Sequence, residues 1–170
     1  MTEFAGLTVL GQLIHRFEPK VEGAVLTILA HENREEITNA LKKGLNADVN
    51  VQYSSGEYTN HLAVLKVGSQ KYTFARDYRE TYISEIGYST CRITPGSHGV
   101  LVYHTDYPGV ISDVSRILAA SQINISKLNV SREQKGKMAL LISLTDEEIP
   151  APVLAEVERL PQVTRVVSLQ

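Results

Sequence analysis

Cysteine and tryptophan are scarce in this sequence, as are long apolar runs and clustered charge. One cysteine, Cys91, occurs among the 170 residues, and tryptophan is absent. A single cysteine excludes an intramolecular disulfide and the paired cysteines of a redox or zinc motif. This usage predicts a reducing compartment, and we expect the cytoplasm.

The lack of long apolar runs and of excess charge excludes several classes of partner. No stretch approaches the roughly 20 apolar residues of a membrane span. The first ten residues carry no positive leader, so no signal peptide is expected. A formal charge of −2, with scattered Lys and Arg, gives no field that would attract nucleic acid or anionic lipid. The 43% of hydrophobic residues nevertheless indicates a folded globular protein of one full-sized or two small domains.

Apolar spacing in the first half predicts helices and strands in mixed order. A helix over 4–17 should be followed by a strand over 24–29 and by a second helix over 34–44. Asn33 is expected to cap the second helix, with Glu36 three residues later as its reciprocal partner. Gly44 is expected to end the same helix in the left-handed conformation.

Period-2 apolar runs predict a strand-rich region after the second helix. These runs centre on Val51, Val64, Phe74, Ile83 and Cys91, with turns expected near Gly68 and Gly87. The stretch 94–97 has the composition of a linker, so we place a domain boundary there.

The C-terminal half has a regular order of elements. The pattern predicts strand 99–104, helix 109–121, strand 123–131, strand 137–145, helix 152–160 and strand 163–169. This βαββαβ order is that of the ferredoxin-like fold. The fold class is therefore α+β: a ferredoxin-like domain at 97–170 and a smaller α+β domain at 1–96.

The junction between the first C-terminal strand and its helix is the candidate site. It reads His-Thr-Asp-Tyr-Pro-Gly-Val over 104–110. Polar side chains followed by Pro and Gly at a strand-to-helix junction can form a small-ligand pocket, to which the helix start supplies free N–H groups. This chemistry suits binding. We expect no catalytic residue, no metal site and no cofactor.

The C-terminal half resembles the ACT domain, an amino-acid-sensing module of metabolic enzymes. The resemblance covers 99–170 and rests on four stretches: Val-Tyr-His-x-Asp-x-Pro-Gly-Val from Val102, Ile-Asn-Ile from Ile123, Val-Ser-Arg-x3-Gly-x2-Ala-Leu from Val130, and Leu-Pro-x-Val from Leu160.

The first half resembles a shortened allosteric substrate-binding domain. That domain precedes the ACT domain in long D-3-phosphoglycerate dehydrogenases and also occurs in the β portion of iron–sulfur L-serine dehydratases. The similar stretches are Leu-x2-Leu-Gly-Gln-Leu from Leu7, the strand at 24–29, Asn-His-x2-Val-x2-Val from Asn60, and Ile-Ser-Glu-Ile-Gly from Ile83. No Gly-x-Gly-x-x-Gly follows a predicted strand, so the dinucleotide-binding fold of a dehydrogenase is missing.

The resemblance implies a ligand, a set of contacts and an oligomer. Its ligand-contacting positions are His104, Asp106 and Asn124, and the family's L-serine lies between two ACT domains. Asp106 can pair with the ammonium of an amino acid, the N–H groups at Gly109 and Val110 favour its carboxylate, and Asn124 can donate and accept. We expect a homodimer through the ACT domains, or a higher oligomer.

Three alternatives remain open from the sequence. The chain could be a scaffold in which the ACT dimer persists but the site is empty or filled by another ligand. Asp106 could cap the helix, with Gly109 and Asn124 serving only as turn residues. The chain could also be the β-type subunit of an iron–sulfur L-serine dehydratase that acts with a catalytic partner chain. A second, anion-binding site of the intervening domain is not expected, because Lys71, Arg76, Arg79 and Arg92 match its basic positions only loosely.

Overall fold

The computed structural model describes residues 3–56 and 60–170, which form two compact units. The first unit takes the chain up to Gly87 together with Cys91–Gly96, and the second takes Tyr88–Thr90 together with Ser97–Gln170. The N-terminal unit was expected to be the smaller one, but it is the larger.

The N-terminal unit is a six-stranded mixed sheet with two helices. Its elements are α1 (Ala5–Phe17), β1 (Val25–Ile28), α2 (Arg34–Leu45), β2 (Asn50–Tyr53), β3 (His61–Val67), β4 (Gln70–Arg76), β5 (Thr81–Ile86) and β6 (Ser89–Ile93). The strand order is β2-β1-β3-β4-β5-β6. β1 and β2 are parallel because α2 connects them, whereas β3, β4 and β5 are joined by tight turns and pair antiparallel.

Helices α1 and α2 pack closely because two glycines lie between them. A Cβ added to Gly44 would lie 2.2 Å from the backbone oxygen of Thr8 and 3.0 Å from the Cα of Gly11. Because the two helices lie so close together, the Thr8 hydroxyl of α1 donates to the Ala40 carbonyl of α2 over 3.0 Å. Gly44 is therefore a packing residue of the helix pair.

Two local expectations for α2 are wrong, and both concern its ends. Asn33 adopts left-handed backbone angles, with φ 58°, and its side chain makes no cap hydrogen bond. The Arg34 side chain instead ties the helix start to the carbonyls of Ala30 and Ser54. At the other end, Gly44 lies inside the helix, and Asn46 takes the left-handed position with φ 45°.

A Gly44→Ala substitution should destabilise the protein by about 2 kcal/mol, because backbone atoms of α1 cannot yield to the new methyl group. Helix propensity alone predicts the opposite sign, a gain of about 1 kcal/mol. Urea denaturation of the variant separates the two. Lys43→Ala, an exposed neighbour on the same helix, is the matched control and should change stability by less than about 0.5 kcal/mol. A Gly44→Ala variant of unchanged or higher stability would contradict the packing role.

The C-terminal unit is the predicted ferredoxin-like fold. Its elements are β7 (His98–Thr105), α3 (Val110–Ala120), β8 (Ile125–Arg132), β9 (Met138–Thr145), α4 (Ala151–Glu158) and β10 (Val163–Ser168). The four strands are ordered β10-β7-β9-β8, and the neighbouring pairs are antiparallel. The predicted βαββαβ order is confirmed.

One face of this sheet and the two helices enclose an apolar core. On β7 and β9, Val102 lies opposite Leu141 in the register, and both are fully buried. Helix α3 presents a stripe at helical spacing, and α4 adds a shorter one; the core residues on the two helices are Val110, Val114, Ile117, Leu118, Val153 and Val157. This packing fixes the start of α3 against the end of β7, where the candidate site lies.

Candidate functional site

Helix α3 begins without any side-chain cap. Gly109 occupies the N-cap position with φ 98°, and an added Cβ there would meet no atom within 4 Å. Glycine suits this position because other residues rarely adopt such a φ. Among the described residues, no acceptor is found for the N–H groups of Val110, Ile111 and Ser112. The Val110 side chain is buried in the core, so this residue can offer a ligand only its backbone.

Asp106 lies just before this helix start and is held by the β8–β9 turn. Its Oδ2 atom accepts from the Gly136 N–H over 3.1 Å and contacts the Arg132 guanidinium. Its own N–H donates to the Lys137 carbonyl over 2.7 Å. The Gly136 N–H, followed by Arg132, lowers the pKa of the Asp106 carboxyl below its ordinary value. Asp106 is therefore a fixed anion, and its described contacts use only one of its two oxygens.

His104 lies at the end of β7, on the face of the sheet that carries the core. The side chain is fully buried, and Nδ1 lies 3.0 Å from the Thr105 carbonyl oxygen. A carbonyl can only accept, so Nδ1 carries the proton and Nε2 is a bare acceptor in the neutral ring. Nε2 is buried and has no partner in the described part of the chain. Buried nitrogens without a partner are uncommon in folded proteins, so this atom calls for an explanation.

Tyr107 is the ring next to His104. The two rings meet edge to face with centroids 6.1 Å apart, and the Tyr107 hydroxyl donates to Asp113 Oδ2 over 3.3 Å. Burial, followed by the charge of Asp113, raises the pKa of Tyr107. Tyr107 thus joins the loop to α3 beside the buried imidazole.

Asn124 lies at the opposite end of the sheet from the other candidate residues. It precedes β8, whose first residue pairs with Thr145, and Thr145 pairs with His98 at the start of β7. Asp106 follows the end of β7, so the two are separated by about the length of that strand, roughly 23 Å at about 3.3 Å per residue. One chain therefore brings together His104, Asp106, Gly109 and Val110, but not Asn124.

The environment of Asn124 also differs from the expectation of a simple turn. Its amide donates to Asp146 over 2.7 Å, and its backbone N–H donates to Glu147 over 2.7 Å. The residue itself is exposed. These two acidic residues hold Asn124 at the surface beside the edge strand β8.

Arg132 and Gly136 are the residues of this region that the sequence analysis did not assign a role. Both belong to the stretch beginning at Val130 that carries the ACT resemblance. The turn after β8 also carries three cations, Arg132, Lys135 and Lys137, but the sequence alone does not place them beside Asp106. The contact of Arg132 and Gly136 with Asp106 closes a loop of about thirty residues, which a local pattern does not reveal.

Three of the four basic residues compared with the anion-binding positions, Arg76, Arg79 and Arg92, have acidic or aromatic partners. Arg92 pairs with Asp77 at 2.8 Å and with Glu80 at 3.1 Å, and it stacks over the Tyr82 ring. The N–H groups of Arg79 and Glu80 lower the pKa of Asp77 to about 2, with a smaller contribution from Arg92. Outside this cluster, Arg76 pairs with Glu3.

Two further observations bear on partners. Within residues 3–56 and 60–170, no group of three or more His, Cys, Asp or Glu side chains is placed to hold a metal ion. The helices of that same part of the chain are too short or too polar to cross a membrane.

Comparison with known proteins agrees with this architecture. The family model described as the ACT domain matches residues 98–162. D-3-phosphoglycerate dehydrogenase of Bacillus subtilis (strain 168) is 29% identical over an alignment of 134 residues that covers 75% of this chain and 25% of that protein. The protein of the same name from Archaeoglobus fulgidus is 27% identical over an alignment of 163 residues. That alignment covers 78% of this chain and 30% of that protein.

A third relative belongs to a different enzyme. It is the "Probable L-serine dehydratase, beta chain" of Bacillus subtilis (strain 168), 30% identical over 87 residues, which are 51% of this chain and 40% of that protein. The chain thus spans between a quarter and two-fifths of the length of these relatives. The family match covers the βαββαβ unit from β7 to the end of α4, and residues 98–162 are an ACT domain.

Proposed function

We propose that this chain is a regulatory module that binds a small amino acid, L-serine in preference to others, between the ACT domains of two copies. The observation that carries the proposal is the pairing of Asp106 with the uncapped start of α3. A fixed carboxylate lies three residues before an open glycine and helix N–H groups that lack acceptors. These are complementary partners for the ammonium and carboxylate of one zwitterion.

His104 favours a ligand that carries an additional donor. Its Nε2 acceptor lacks a partner in the described residues, and a hydroxyl or ammonium group would supply one. L-serine offers both groups, and one relative of this chain is named for L-serine. Because His104 is fully buried, a ligand reaches Nε2 only if neighbouring groups move, and we expect Tyr107, whose ring meets the imidazole, to be one of them.

The affinity should be modest, as a sensor of metabolite level requires. The ligand has few heavy atoms, and each charge-assisted hydrogen bond contributes about 1.5–3 kcal/mol before the costs of association are subtracted. This places the dissociation constant in roughly the micromolar to millimolar range.

The position of Asn124 is the argument for a second copy. β8 is an edge strand, and its outer edge makes no strand pairing in the described chain. If two β8 edges pair antiparallel about a twofold axis, the start of one strand comes to lie beside the end of the other. Asn124 of one copy then approaches Arg132 and Asp106 of the other. Each dimer would contain two equivalent sites, each built from both chains.

Ligand binding at such an interface would regulate the protein by favouring the dimer over the separate chains. A ligand shifts an equilibrium only if it binds one state better than the other. A site shared by two chains meets this condition directly, because it is complete only in the paired state. The chain would then transmit the amino-acid level to an attached or partner enzyme. We place this activity in the cytoplasm.

Calorimetry and thermal unfolding with each of the twenty amino acids test the proposal. We expect L-serine to release or absorb heat, to raise the unfolding temperature and to increase the dimer fraction in light scattering. Amino acids with bulky side chains should give weaker signals. The proposal fails if none of the twenty gives heat or a shift in unfolding temperature.

A dehydratase β-subunit is the second candidate, favoured by the similarity to the L-serine dehydratase beta chain over half of this chain. In that case the catalytic residues would lie on a partner. Mixing the protein with a separately prepared iron–sulfur α chain should then yield serine-consuming activity that neither protein has alone. A homodimer that binds serine but gives no activity on mixing would exclude this candidate.

A further inference from the structure

Arg132 contacts the candidate site from outside the strand-to-helix loop. It is the last residue of β8, and its guanidinium contacts Asp106 Oδ2. Its side chain is 49% exposed, whereas that of Asp106 is 21% exposed. The pair is therefore open to solvent on the arginine side, where a ligand would approach.

Positive charge dominates the turn that carries this arginine. Lys135 and Lys137 follow Arg132 within five residues, and Glu133 is the one acid among them. The Gly136 N–H of the same turn points at Asp106, as the hydrogen bond between them shows. The positive end of the α3 dipole lies a few residues after Asp106 along the loop. The surroundings of Asp106 are thus electropositive and favour a ligand that brings a carboxylate.

We propose that Arg132 binds the carboxylate of the amino-acid ligand, and that the Asp106–Arg132 ion pair opens to admit the zwitterion. The ammonium would take Asp106 Oδ1, which the described contacts leave free, and the carboxylate would take the guanidinium fork of Arg132. Two ion pairs would replace one. This inference rests on the proposed function and adds to it the group that recognises the carboxylate.

Opening the ion pair should cost little. Exposed ion pairs contribute little to stability, because water competes for both partners. Asp106 also keeps its bond from the Gly136 N–H after Arg132 turns away, so the loop stays in place. Arginine matches a carboxylate with two parallel N–H donors, which a helix N-terminus alone does not offer in fixed geometry.

Two ligands that differ only at the carboxylate test the role of Arg132. L-serinamide has the ammonium and the hydroxyl of L-serine but lacks the carboxylate. The unaltered protein should bind L-serine at least about tenfold more tightly than L-serinamide, the difference expected from one charge-assisted contact. In Arg132→Gln this preference should fall to within about threefold, mainly through weaker serine binding.

Calorimetry of both ligands on the full chain provides the test, with Arg116→Gln as the matched control. Arg116 is another exposed arginine, and it pairs with Asp113 on α3 at 3.5 Å. Its replacement should leave the preference for L-serine unchanged. Should Arg132→Gln fail to fold, Arg132→Met, which keeps an apolar stem, takes its place.

The outcomes distinguish this inference from the proposed function. If the unaltered protein binds no amino acid, the proposed function fails and the inference falls with it. If the unaltered protein binds L-serine and Arg132→Gln keeps the full preference over L-serinamide, only the role of Arg132 is wrong. Loss of the preference in Arg132→Gln, with Arg116→Gln unaffected, supports both.

Discussion

An Asp106→Asn variant should bind L-serine about 10- to 100-fold more weakly than the unaltered chain, the effect of removing one charge-assisted bond. The substitution removes the charge that the ligand's ammonium needs. It keeps a side-chain oxygen that can still accept from the Gly136 N–H, so the β8–β9 turn should stay in place. Binding and folding are therefore expected to separate in this variant.

The measurement is a pair of titrations by calorimetry, accompanied by thermal unfolding without ligand. Asp48→Asn is the control, because it is the same substitution on a carboxylate of the N-terminal unit, outside the ACT domain. It should leave serine affinity within about threefold. Equal serine affinity in Asp106→Asn and the unaltered chain would show that Asp106 only positions the turn.

The same site has an expected response to pH. Because the Gly136 N–H and Arg132 lower the pKa of Asp106, its carboxylate stays charged in mildly acidic solution. Loss of the Asp106 contact therefore requires a pH below the ordinary range of a carboxyl group.

A His104→Leu variant should bind L-serine at least about tenfold more weakly, whereas its free energy of unfolding should stay equal or rise by about 1 kcal/mol. Nε2 is buried and lacks a partner in the described residues. Without ligand, the folded protein therefore loses the hydration of this nitrogen and gains no hydrogen bond in its place. Leucine has a similar size and no such group, although it also loses the bond that Nδ1 donates to the Thr105 carbonyl, which offsets part of the gain. A residue whose replacement stabilises the fold and abolishes binding is kept for binding.

Chemical denaturation and calorimetry on the same preparation measure both effects. Ser143→Ala is the matched control: Ser143 lies on the core-facing side of β9, and its hydroxyl is also buried and unpaired in the described chain. It should give a similar stability and unchanged serine affinity. A large loss of stability in His104→Leu, or unchanged binding, would contradict the role of His104 as a ligand contact.

Local sequence was sufficient to predict the order of elements in the ACT domain, because α3 and α4 carry apolar residues at helical spacing and the central strands β7 and β9 are apolar runs. The ends of α2 were not predictable in the same way. Gly44 is a packing residue because α1 approaches it, and the sequence near Gly44 does not encode that approach. The expected cap by Asn33 fails for the same kind of reason. The Arg34 side chain holds the helix start instead, by donating to the carbonyl of Ser54, which follows β2.

In the candidate site, too, the features set by neighbouring residues were predictable, whereas the contacts between distant residues were not. The strand-to-helix loop was recognisable from its Pro and Gly and from the family resemblance. The contacts of Asp106 with Arg132 and Gly136 were not, because they depend on the register between β8 and β9. The distance between Asp106 and Asn124 also required the sheet topology, and it now supports a site shared by two chains.

Mixing two defective variants tests the shared site most directly. In a dimer whose sites combine Asp106 of one chain with Asn124 of the other, Asp106→Asn and Asn124→Ala homodimers each have two impaired sites. After subunit exchange, a mixed dimer has one doubly impaired site and one intact site. An equimolar mixture should therefore recover high-affinity serine binding at roughly one site for every four chains, as random pairing of two subunit types dictates. A mixture that exchanges subunits but recovers no high-affinity site would contradict a ligand site built from two ACT domains.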